Sequence, residues 1–227
     1  MPIKFGTTGI SSIFKGNTKI GRIYKGTSLV YQSSLLPSGY TECEYLESTG
    51  TQYINTEVVG TQNISIDTTF SWSRYLNAWN FFFNAMAGVY DGQWYGLAQA
   101  SSFRNVRFNM GISTVYTNIA YNDFTAHNYV MENFQITIDG SNTHSISNKS
   151  DFTTVYPIAI FANNKKGNIE QYSYAKLYSF KIYDNKVLVR NFIPALDTNH
   201  KPCLYDTVTG NTFYNQGTGT FSYQIKS

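Results

Sequence analysis

The sequence predicts an all-β protein whose main body is a two-sheet sandwich or a barrel. Its 227 residues include 24 Thr, 22 Asn and 38 aromatic residues, against 10 Leu and 11 Ala. Thr and aromatic residues suit a pleated, half-buried surface, whereas Asn and Gly suit turns. Only 14% of the residues are charged, which disfavours a helical surface covered by ion pairs. The polar surface is instead rich in amides and hydroxyls, which suits contact with glycans or packing against protein.

Short strand-like runs bounded by turn residues recur along residues 36–227, and this spacing favours a sandwich or barrel. Asp184-Asn185 lies between two β-rich runs and marks the clearest hairpin, and Asp139-Gly140 and Thr209-Gly210-Asn211 mark others. The predicted strands are Glu42–Leu46, Gln52–Thr56, Asn63–Ser71, Asn80–Asn84, Trp94–Gln99, Val106–Met110, Asn128–Asn133, Gln135–Ile138, Ile158–Ala162, Tyr174–Tyr183, Lys186–Ile193 and Leu204–Asp206.

One segment fits two kinds of secondary structure. Apolar residues at positions 76, 79, 82, 83 and 86 follow a helical period, which predicts a helix over Tyr75–Ala87. The alternative is a buried strand with aromatic residues on both faces. The pattern by itself leaves both open.

Residues 1–35 predict a separate, small β-module. Ile13–Ile20 and Ile23–Val30 repeat one pattern at a spacing of ten: a β-branched and aromatic pair, Lys-Gly, two polar residues and an apolar return. This pattern predicts two short hairpins or a meander of three to four strands. A module of this size buries little surface alone, so we expect it to dock on its own sandwich, on a sister chain or on a larger assembly. The segment 32–39, rich in Ser, Pro and Gly, is the predicted linker.

Charge is distributed unevenly along the chain. Residues 1–41 carry five basic residues and no acidic one, whereas the remainder carries 12 basic and 14 acidic residues, which makes +5 and −2. This asymmetry predicts an acidic partner for the N-terminus. We favour a protein surface over nucleic acid, because the charges stand singly between apolar residues. The predicted anchoring residues are Lys15, Lys19, Arg22 and Lys25.

The remaining compositional signals concern compartment and redox state. No apolar run approaches eighteen residues, so we expect no membrane insertion. The first residues lack the apolar core of a signal peptide, so we expect synthesis in a reducing cytoplasm. Two cysteines, Cys43 and Cys203, do not make a disulfide framework. One disulfide between them, joining the first and last strands of the sandwich, is an alternative that the sequence does not decide.

Several ordered segments resemble one known family. The opening Leu36–Ile54 and, further on, Ile158–Asn163, Lys181–Asp184, Leu188–Ala195, Leu204–Asp206, Phe213–Asn215 and Gly217–Phe221 resemble laminin-G/concanavalin A-like jelly-roll domains of tailed-bacteriophage virion proteins. The resemblance covers both ends of residues 36–222 and leaves about 57–155 unmatched.

The resemblance implies a concanavalin-like jelly-roll sandwich over residues 36–227. It also implies a virion structural protein, of the head-fibre, capsid-decoration or tail-fibre type, that is a homotrimer and binds other virion proteins through its N-terminal module. The alternative is a receptor-recognition protein of the phage tail that binds host glycans. Fold alone does not decide between these roles.

A glycoside hydrolase is the weakest alternative. Concanavalin-like glycosidases carry a Glu-x-Asp-x-x-Glu strand, and Glu42, Glu44 and Glu47 approach that pattern. Alternate carboxylates on one strand face could act as nucleophile and acid. The middle residue is Glu rather than Asp, however, and the strand adjoins the linker, so we favour the polar outer face of an edge strand. The three histidines are scattered and no nucleophile elbow is present, so we expect no enzyme.

Sugar sites combine an aromatic platform with amide and carboxylate groups that form hydrogen bonds. The segment 90–95 provides this mixture around a Gly turn, and it makes Tyr90, Asp91, Gln93, Trp94 and Tyr95 the predicted glycan-binding residues. A second cluster consists of Trp72, Trp79, Asn77 and Asn80. The competing interpretation is packing in the core, which we favour for Trp72 and Trp79.

No cofactor is predicted. The laminin-G-like resemblance leaves room for a calcium ion held by oxygens of acidic and amide side chains at the rim. Asp139, Asn142, Asp91 and Asp151 could contribute such oxygens, but no ligand loop is recognisable, and turn residues are the favoured interpretation.

Overall fold

The structure, a computed structural model, describes residues 4–5, 8–9, 13–15, 18–20, 22–25, 28–32, 35–74, 76, 78–88, 93–99, 105–117 and 124–226, with side chains from Leu35 onward. These residues form strands and contain no helix, so no helix among them could cross a membrane. The strands are β1 (Lys4–Phe5), β2 (Thr8–Gly9), β3 (Ile13–Lys15), β4 (Thr18–Ile20), β5 (Arg22–Lys25), β6 (Ser28–Gln32), β7 (Thr41–Thr49), β8 (Ile54–Thr61), β9 (Ile64–Trp72), β10 (Asn80–Met86), β11 (Trp94–Gln99), β12 (Val106–Gly111), β13 (Ser113–Tyr116), β14 (His127–Glu132), β15 (Gln135–Ile138), β16 (Asn142–Ser145), β17 (Thr153–Ile160), β18 (Asn163–Lys165), β19 (Asn168–Glu170), β20 (Tyr174–Asp184), β21 (Val187–Leu196), β22 (Pro202–Asp206), β23 (Thr212–Tyr214) and β24 (Ser222–Ile225).

The first six strands pair as three antiparallel two-stranded sheets, β1 with β2, β3 with β4, and β5 with β6. Ile13 pairs with Ile20, and Ile23 pairs with Tyr31, so the repeat in the sequence has a counterpart in strand pairing. The residues between the strands of each pair lie outside the described part. An independent N-terminal module, and its docking, stay predictions.

Two sheets make up the rest of the chain, and they share one core. The smaller sheet has the order β13-β12-β11-β10-β17-β8, with β18 parallel beside β10 and β19 beside β18. The larger sheet has the order β16-β15-β14-β9-β20-β7-β21-β22-β23, with β24 beside β7. This is the all-β, two-sheet arrangement of a sandwich that the sequence predicts.

Aromatic side chains join the two sheets. Phe82 of the smaller sheet stacks on Phe70 of the larger sheet with ring centroids 3.6 Å apart, and Phe83 meets Phe180 edge to face at 5.4 Å. All four side chains are fully buried. Burial of each ring stabilises the fold by roughly 1.5–3 kcal/mol, and the aromatic geometry adds to it.

Strand β10 decides between the two interpretations of residues 75–87. The segment contains a buried strand, so the prediction of a helix is wrong. All seven residues of β10 are buried, so its sequence lacks the alternation that identifies a half-exposed strand. The register with β11 also shifts between Phe81 and Phe83. This bulge turns both Phe82 and Phe83 into the core, which produces the spacing that resembles a helical period.

The two cysteines are free thiols, so the disulfide that the sequence left open is not formed. Cys43 lies on β7 and Cys203 on β22, and β21 pairs with both strands and separates them. Both side chains are buried. Burial raises the pKa of the Cys43 thiol to about 11 and that of Cys203 to about 12, so both stay protonated and unreactive near neutral pH.

Candidate functional site

A groove lies on the outer face of the smaller sheet, the face that points away from the core. Its cavity of about 180 Å³ is bounded by two indoles and a mixture of apolar, amide and charged side chains. We call it the Trp79–Trp94 groove. The residues that line it are Trp79, Phe81, Met86, Trp94, Arg107, Asn163, Lys165, Glu170 and Gln171.

Strand register aligns a row of polar residues across the same face. Asn163 of β18 pairs with Asn84 of β10, Asn84 with Gly96 of β11, Gly96 with Asn109 of β12, and Asn109 with Thr114 of β13. Paired residues on neighbouring strands share a face of the sheet. The adjacent residues on these strands belong to the core, so this row, the amide row, points outward.

Hydrogen bonds hold most of the amide row in place. Asn84 Nδ2 donates to Asn163 Oδ1 at 2.6 Å, and Thr114 Oγ1 donates to Asn109 Oδ1 at 2.6 Å. At the centre of the row, a Cβ on Gly96 would lie 2.0 Å from Asn84 Oδ1. Glycine at this position therefore lets the Asn84 amide lie across the backbone of β11.

Two polar atoms of this row have no hydrogen-bond partner. They are Asn84 Oδ1, an acceptor, and Asn109 Nδ2, a donor, and both side chains are fully buried. A buried polar group without a partner costs about 1–3 kcal/mol, and native folds rarely keep one without a reason. Asn84 and Asn109 do not line the groove themselves, but each is hydrogen-bonded to a residue that does, Asn163 and Arg107 respectively.

Arg107 is the charged centre of the groove. Its Cζ lies 4.7 Å from the ring centroids of both Trp79 and Trp94. Its Nε donates to Asn109 Oδ1 at 3.0 Å, and Nη2 donates to Thr114 Oγ1 at 3.2 Å. Burial lowers the pKa of Arg107, but an arginine pKa begins above 12, so the guanidinium stays charged at neutral pH.

The side of the groove formed by β18 and β19 is polar and internally paired. Lys165 Nζ lies 3.2 Å from Glu170 Oε1, and Asn163 Nδ2 donates to Gln171 Oε1 at 2.8 Å. The Trp94 indole N–H donates to the carbonyl of Gly88, which fixes the orientation of that ring. The groove therefore combines aromatic rings with amides, an ion pair and a guanidinium, a combination that suits a ligand with apolar C–H faces and several hydroxyls.

The structure divides the predicted glycan-binding segment. Trp94 lines the groove, and Gln93 immediately before it is half-buried. The prediction that Tyr95 binds a glycan is wrong, because its side chain is fully buried in the core. Its hydroxyl donates to the Ile64 carbonyl at 3.1 Å. Successive residues of a strand point to opposite faces, so Trp94 and Tyr95 cannot share one site. Tyr90 and Asp91 lie outside the described residues.

The second predicted cluster is also divided. Trp72 is buried and meets Phe70 edge to face at 5.2 Å, so its assignment to the core is confirmed. For Trp79 the core assignment is wrong, since this residue is half-buried and lines the groove. Asn80 is buried and donates to Gln99 Oε1 at 3.3 Å, and Asn77 lies outside the described residues.

Trp79 and Trp94, which came from two separate predictions, thus belong to one site and meet at Arg107. Sequence reasoning did not single out Arg107, Asn84 or Asn109. A signal was present: Arg107 and Asn109 are two positions apart within a predicted strand, so they share a face, and a charged and an amide residue on one face of a central strand are uncommon.

The carboxylates of the hydrolase alternative lie on the larger sheet, away from this groove. Glu44 is exposed on β7, and Glu42 pairs with Lys226 Nζ. Strand β7 has β24 on one side and β20 and β21 on the other. The interpretation of this segment as an edge strand is therefore wrong.

The candidate calcium residues are not brought together. Asp139 accepts from the backbone N–H of Asn128 at 2.9 Å and forms an ion pair with His127 at 2.6 Å. Asn142 is on β16, Asp151 is exposed, and Asp91 lies outside the described part. Among the residues with described side chains, no group of three or more His, Cys, Asp or Glu is arranged to hold a metal ion.

The predicted anchoring residues lie on the N-terminal strands. Lys15 ends β3, Lys19 lies in β4, and Arg22 and Lys25 are the first and last residues of β5. Their side chains lie outside the described part, so anchoring stays a prediction.

Comparisons of the chain with models of known protein families and with curated proteins find no match.

Proposed function

We propose that this protein is a carbohydrate-binding sandwich whose sugar site is the Trp79–Trp94 groove. One observation carries the proposal: the Arg107 guanidinium lies 4.7 Å from the ring centroids of two indoles, in a groove whose lining also holds the amides of Asn163 and Gln171. A sugar ring offers apolar C–H faces to the indoles and hydroxyls to the polar atoms. The groove supplies partners for both.

The size of the groove sets the extent of the contact. Its cavity of about 180 Å³ is below the roughly 300–1,000 Å³ of sites that enclose a drug-sized molecule. A groove of this size holds one sugar unit, and the rest of an oligosaccharide extends over the surface. We therefore expect binding of a terminal or branching sugar with modest affinity, strengthened when several copies of the chain bind together.

The biological setting that we propose is a bacteriophage virion. Its support is the resemblance of both ends of residues 36–222 to laminin-G/concanavalin A-like jelly-roll domains of phage virion proteins, and a two-sheet fold is compatible with it. In this proposal the chain is a head fibre, capsid decoration or tail fibre, homotrimeric, with Lys15, Lys19, Arg22 and Lys25 contacting an acidic surface of another virion protein. A tail protein that recognises a host receptor is the alternative, and the groove would serve both roles.

A glycan array probed with the full chain tests the carbohydrate proposal. We expect binding to one group of related glycans, and we expect Trp94→Ala to weaken it by at least about tenfold, since an aromatic at the centre of a site contributes about 2 kcal/mol. Tyr223→Ala is the matched control, because this aromatic residue is exposed on the larger sheet. Thermal melting verifies that both variants are folded. An array without signal, or equal binding by the Trp94 variant, contradicts the proposal.

Particle purification tests the virion proposal separately. We expect the chain to co-sediment with phage particles from cells that express it, and to be lost from them when Lys15, Lys19, Arg22 and Lys25 are all changed to Glu. The same reversal at four basic positions of the sandwich, Lys149, Lys166, Lys186 and Lys201, is the control and should leave attachment intact. Absence of the chain from purified particles would contradict a structural role.

A further inference from the structure

We infer that the sugar bound in the Trp79–Trp94 groove is anionic, and that a carboxylate of the uronic acid or sialic acid class contacts Arg107. The inference rests on the proposed carbohydrate function and names the ligand class of the same site. Its starting point is the charge balance around Arg107.

Arg107 is a buried cation, only 8% exposed. Within the described part of the chain, no carboxylate lies within ion-pair distance of it. Its contacts there are an amide oxygen, a hydroxyl and two indole rings, all of them neutral. Removal of a charge from water is costly unless an opposite charge replaces the water. Cation–π contacts return only part of that cost, and an anionic ligand would return more.

The guanidinium also keeps hydrogen-bond donors for such a ligand. Of its five N–H groups, one on Nε and one on Nη2 donate to Asn109 and Thr114. Neither N–H of Nη1 has a partner among the described residues. A planar carboxylate accepts two parallel N–H bonds from a guanidinium, and the hydrogen bonds and indoles around Arg107 hold it in one orientation, so little entropy is lost on binding.

The remaining charges of the groove do not change its sign. Lys165 and Glu170 form an ion pair with each other at 3.2 Å and contribute no net charge. Asn163, Gln171 and the apolar lining are neutral. Among the described residues of the groove, the net charge of +1 therefore resides on Arg107, next to the indoles on which a sugar ring would stack. A cationic amino sugar would be repelled there, and a neutral sugar would leave the guanidinium without an anion.

Matched pairs of sugars test the inference on the unaltered full chain. We propose calorimetric titration with trigalacturonate and its fully methyl-esterified form, and with sialyllactose and its methyl ester. Each pair has the same sugar units and differs only in whether its carboxyl groups are charged or esterified. In at least one pair we expect the acid to bind about tenfold or more tightly than its neutral partner, the range of a charge-assisted hydrogen bond. This advantage should shrink as ionic strength rises.

Variants assign the effect to Arg107. In Arg107→Gln we expect the ratio of the affinities for the acid and its neutral partner to fall to about one, and Arg107→Lys should retain part of the preference. Arg74→Gln is the control, since Arg74 is an exposed arginine that also lies over an aromatic ring, 5.2 Å from the Tyr174 centroid. Melting curves identify any variant that fails to fold. If one does, the comparison of ligand pairs on the unaltered chain still tests the inference.

The outcomes separate this inference from the proposed function. Equal or tighter binding of the neutral partner in both pairs, with binding still lost in Trp94→Ala, overturns the anionic preference and leaves the carbohydrate site standing. Binding of sulfated but not of carboxylated oligosaccharides overturns the carboxylate assignment. Absence of binding to every sugar, neutral or acidic, overturns both.

Discussion

Two partly buried arginines, Arg190 on the larger sheet and Arg107 on the smaller sheet, have opposite surroundings. Arg190 lies 3.7 Å from a carboxylate oxygen of Glu57 and 3.7 Å from one of Asp206, and it donates to the Thr56 and Val189 carbonyls at 3.3 and 3.0 Å. Arg107 has no carboxylate partner among the described residues. The first cation is neutralised by the fold itself. The second keeps its charge available, which is expected of a binding site and not of a structural ion pair.

The buried polar atoms beside Arg190 have hydrogen-bond partners, whereas some of those near Arg107 have none. Asp206 beside Arg190 is fully buried and accepts from the backbone N–H groups of Asn191 and Val208 at 2.8 and 3.1 Å and from Thr209 Oγ1 at 2.7 Å. Around Arg107, Asn84 Oδ1 and Asn109 Nδ2 are buried without partners. A complete network stabilises a fold, whereas an incomplete one reduces its stability.

The largest expected effect is the removal of the neutralising carboxylate. Asp206→Ala leaves two backbone N–H groups and a hydroxyl without their acceptor and removes one of the two carboxylates beside Arg190, and we expect it to lower the free energy of unfolding by about 3 kcal/mol. Urea denaturation measures the change. Asp184→Ala, at an exposed hairpin position, is the control and should change it by less than about 0.5 kcal/mol. A loss for Asp206→Ala as small as that of the control would show that the network is not structural.

The amide row, which is hydrogen-bonded to Asn163 and Arg107 of the groove, gives the next effect. Gly96→Ala places a Cβ 2.0 Å from Asn84 Oδ1 and 2.6 Å from the Phe83 carbonyl oxygen, so the amide row must shift. We expect a loss of about 1–3 kcal/mol in stability together with a large loss of glycan binding.

Gly140→Ala separates these two effects. Its φ of +69° strains any L residue, but nothing lies within 4 Å of the added Cβ. We expect about 1–2 kcal/mol of destabilisation with binding unchanged. If both alanine variants bind equally well, the amide row is not part of the site.

Replacement of each arginine by methionine tests the comparison directly. Arg190→Met leaves Asp206 buried without its cation, and we expect it to destabilise the protein by about 2 kcal/mol. Arg107→Met removes a buried cation that has no anion, so we expect a change of less than about 1 kcal/mol, or a small gain. Paired urea denaturation curves provide the measurement. Equal losses in the free energy of unfolding for the two variants would show that the two arginines contribute equally to stability, which contradicts the difference proposed here.

The smallest effect concerns Asp197, a carboxylate held mainly by neutral donors. The backbone N–H groups of Lys201 and Asn199 and the Tyr214 hydroxyl donate to it. The Lys201 N–H above all, with the Tyr214 and Asn199 bonds, lowers the pKa of Asp197. Its contribution to stability is therefore complete above its unfolded pKa, near 4, and is lost as pH falls through the lower folded pKa. We expect Asp197→Asn to reduce the dependence of the melting temperature on pH below about 4; a dependence identical to that of the parent chain would contradict this.

Local pattern in the sequence was sufficient for much of the fold. Strands β11 and β15 begin and end at the predicted residues, and the predicted β20–β21 hairpin is present, with its turn at Asn185-Lys186, one residue later than predicted. Strand β15 depends on alternation within a strand and the hairpin depends on turn residues, and both are local properties. Strand β10 was ambiguous because burial on both faces removes the alternation.

The site depended on the tertiary structure. The sequence identified Trp94 and Trp79 as candidate binding residues in two separate clusters, and it also grouped Tyr95 with Trp94, although the two side chains point to opposite faces of β11. Strand register aligns Asn84 with Gly96 and Asn109, and the packing of side chains over the sheet brings Trp79, Trp94 and Arg107 together. Register couples residues that are far apart along the chain, so no local pattern contains it. The sequence by itself predicted twelve of the eighteen strands from β7 to β24 and missed the short strands β13, β16, β18, β19, β23 and β24. The pairing of the strands decided which residues form the groove.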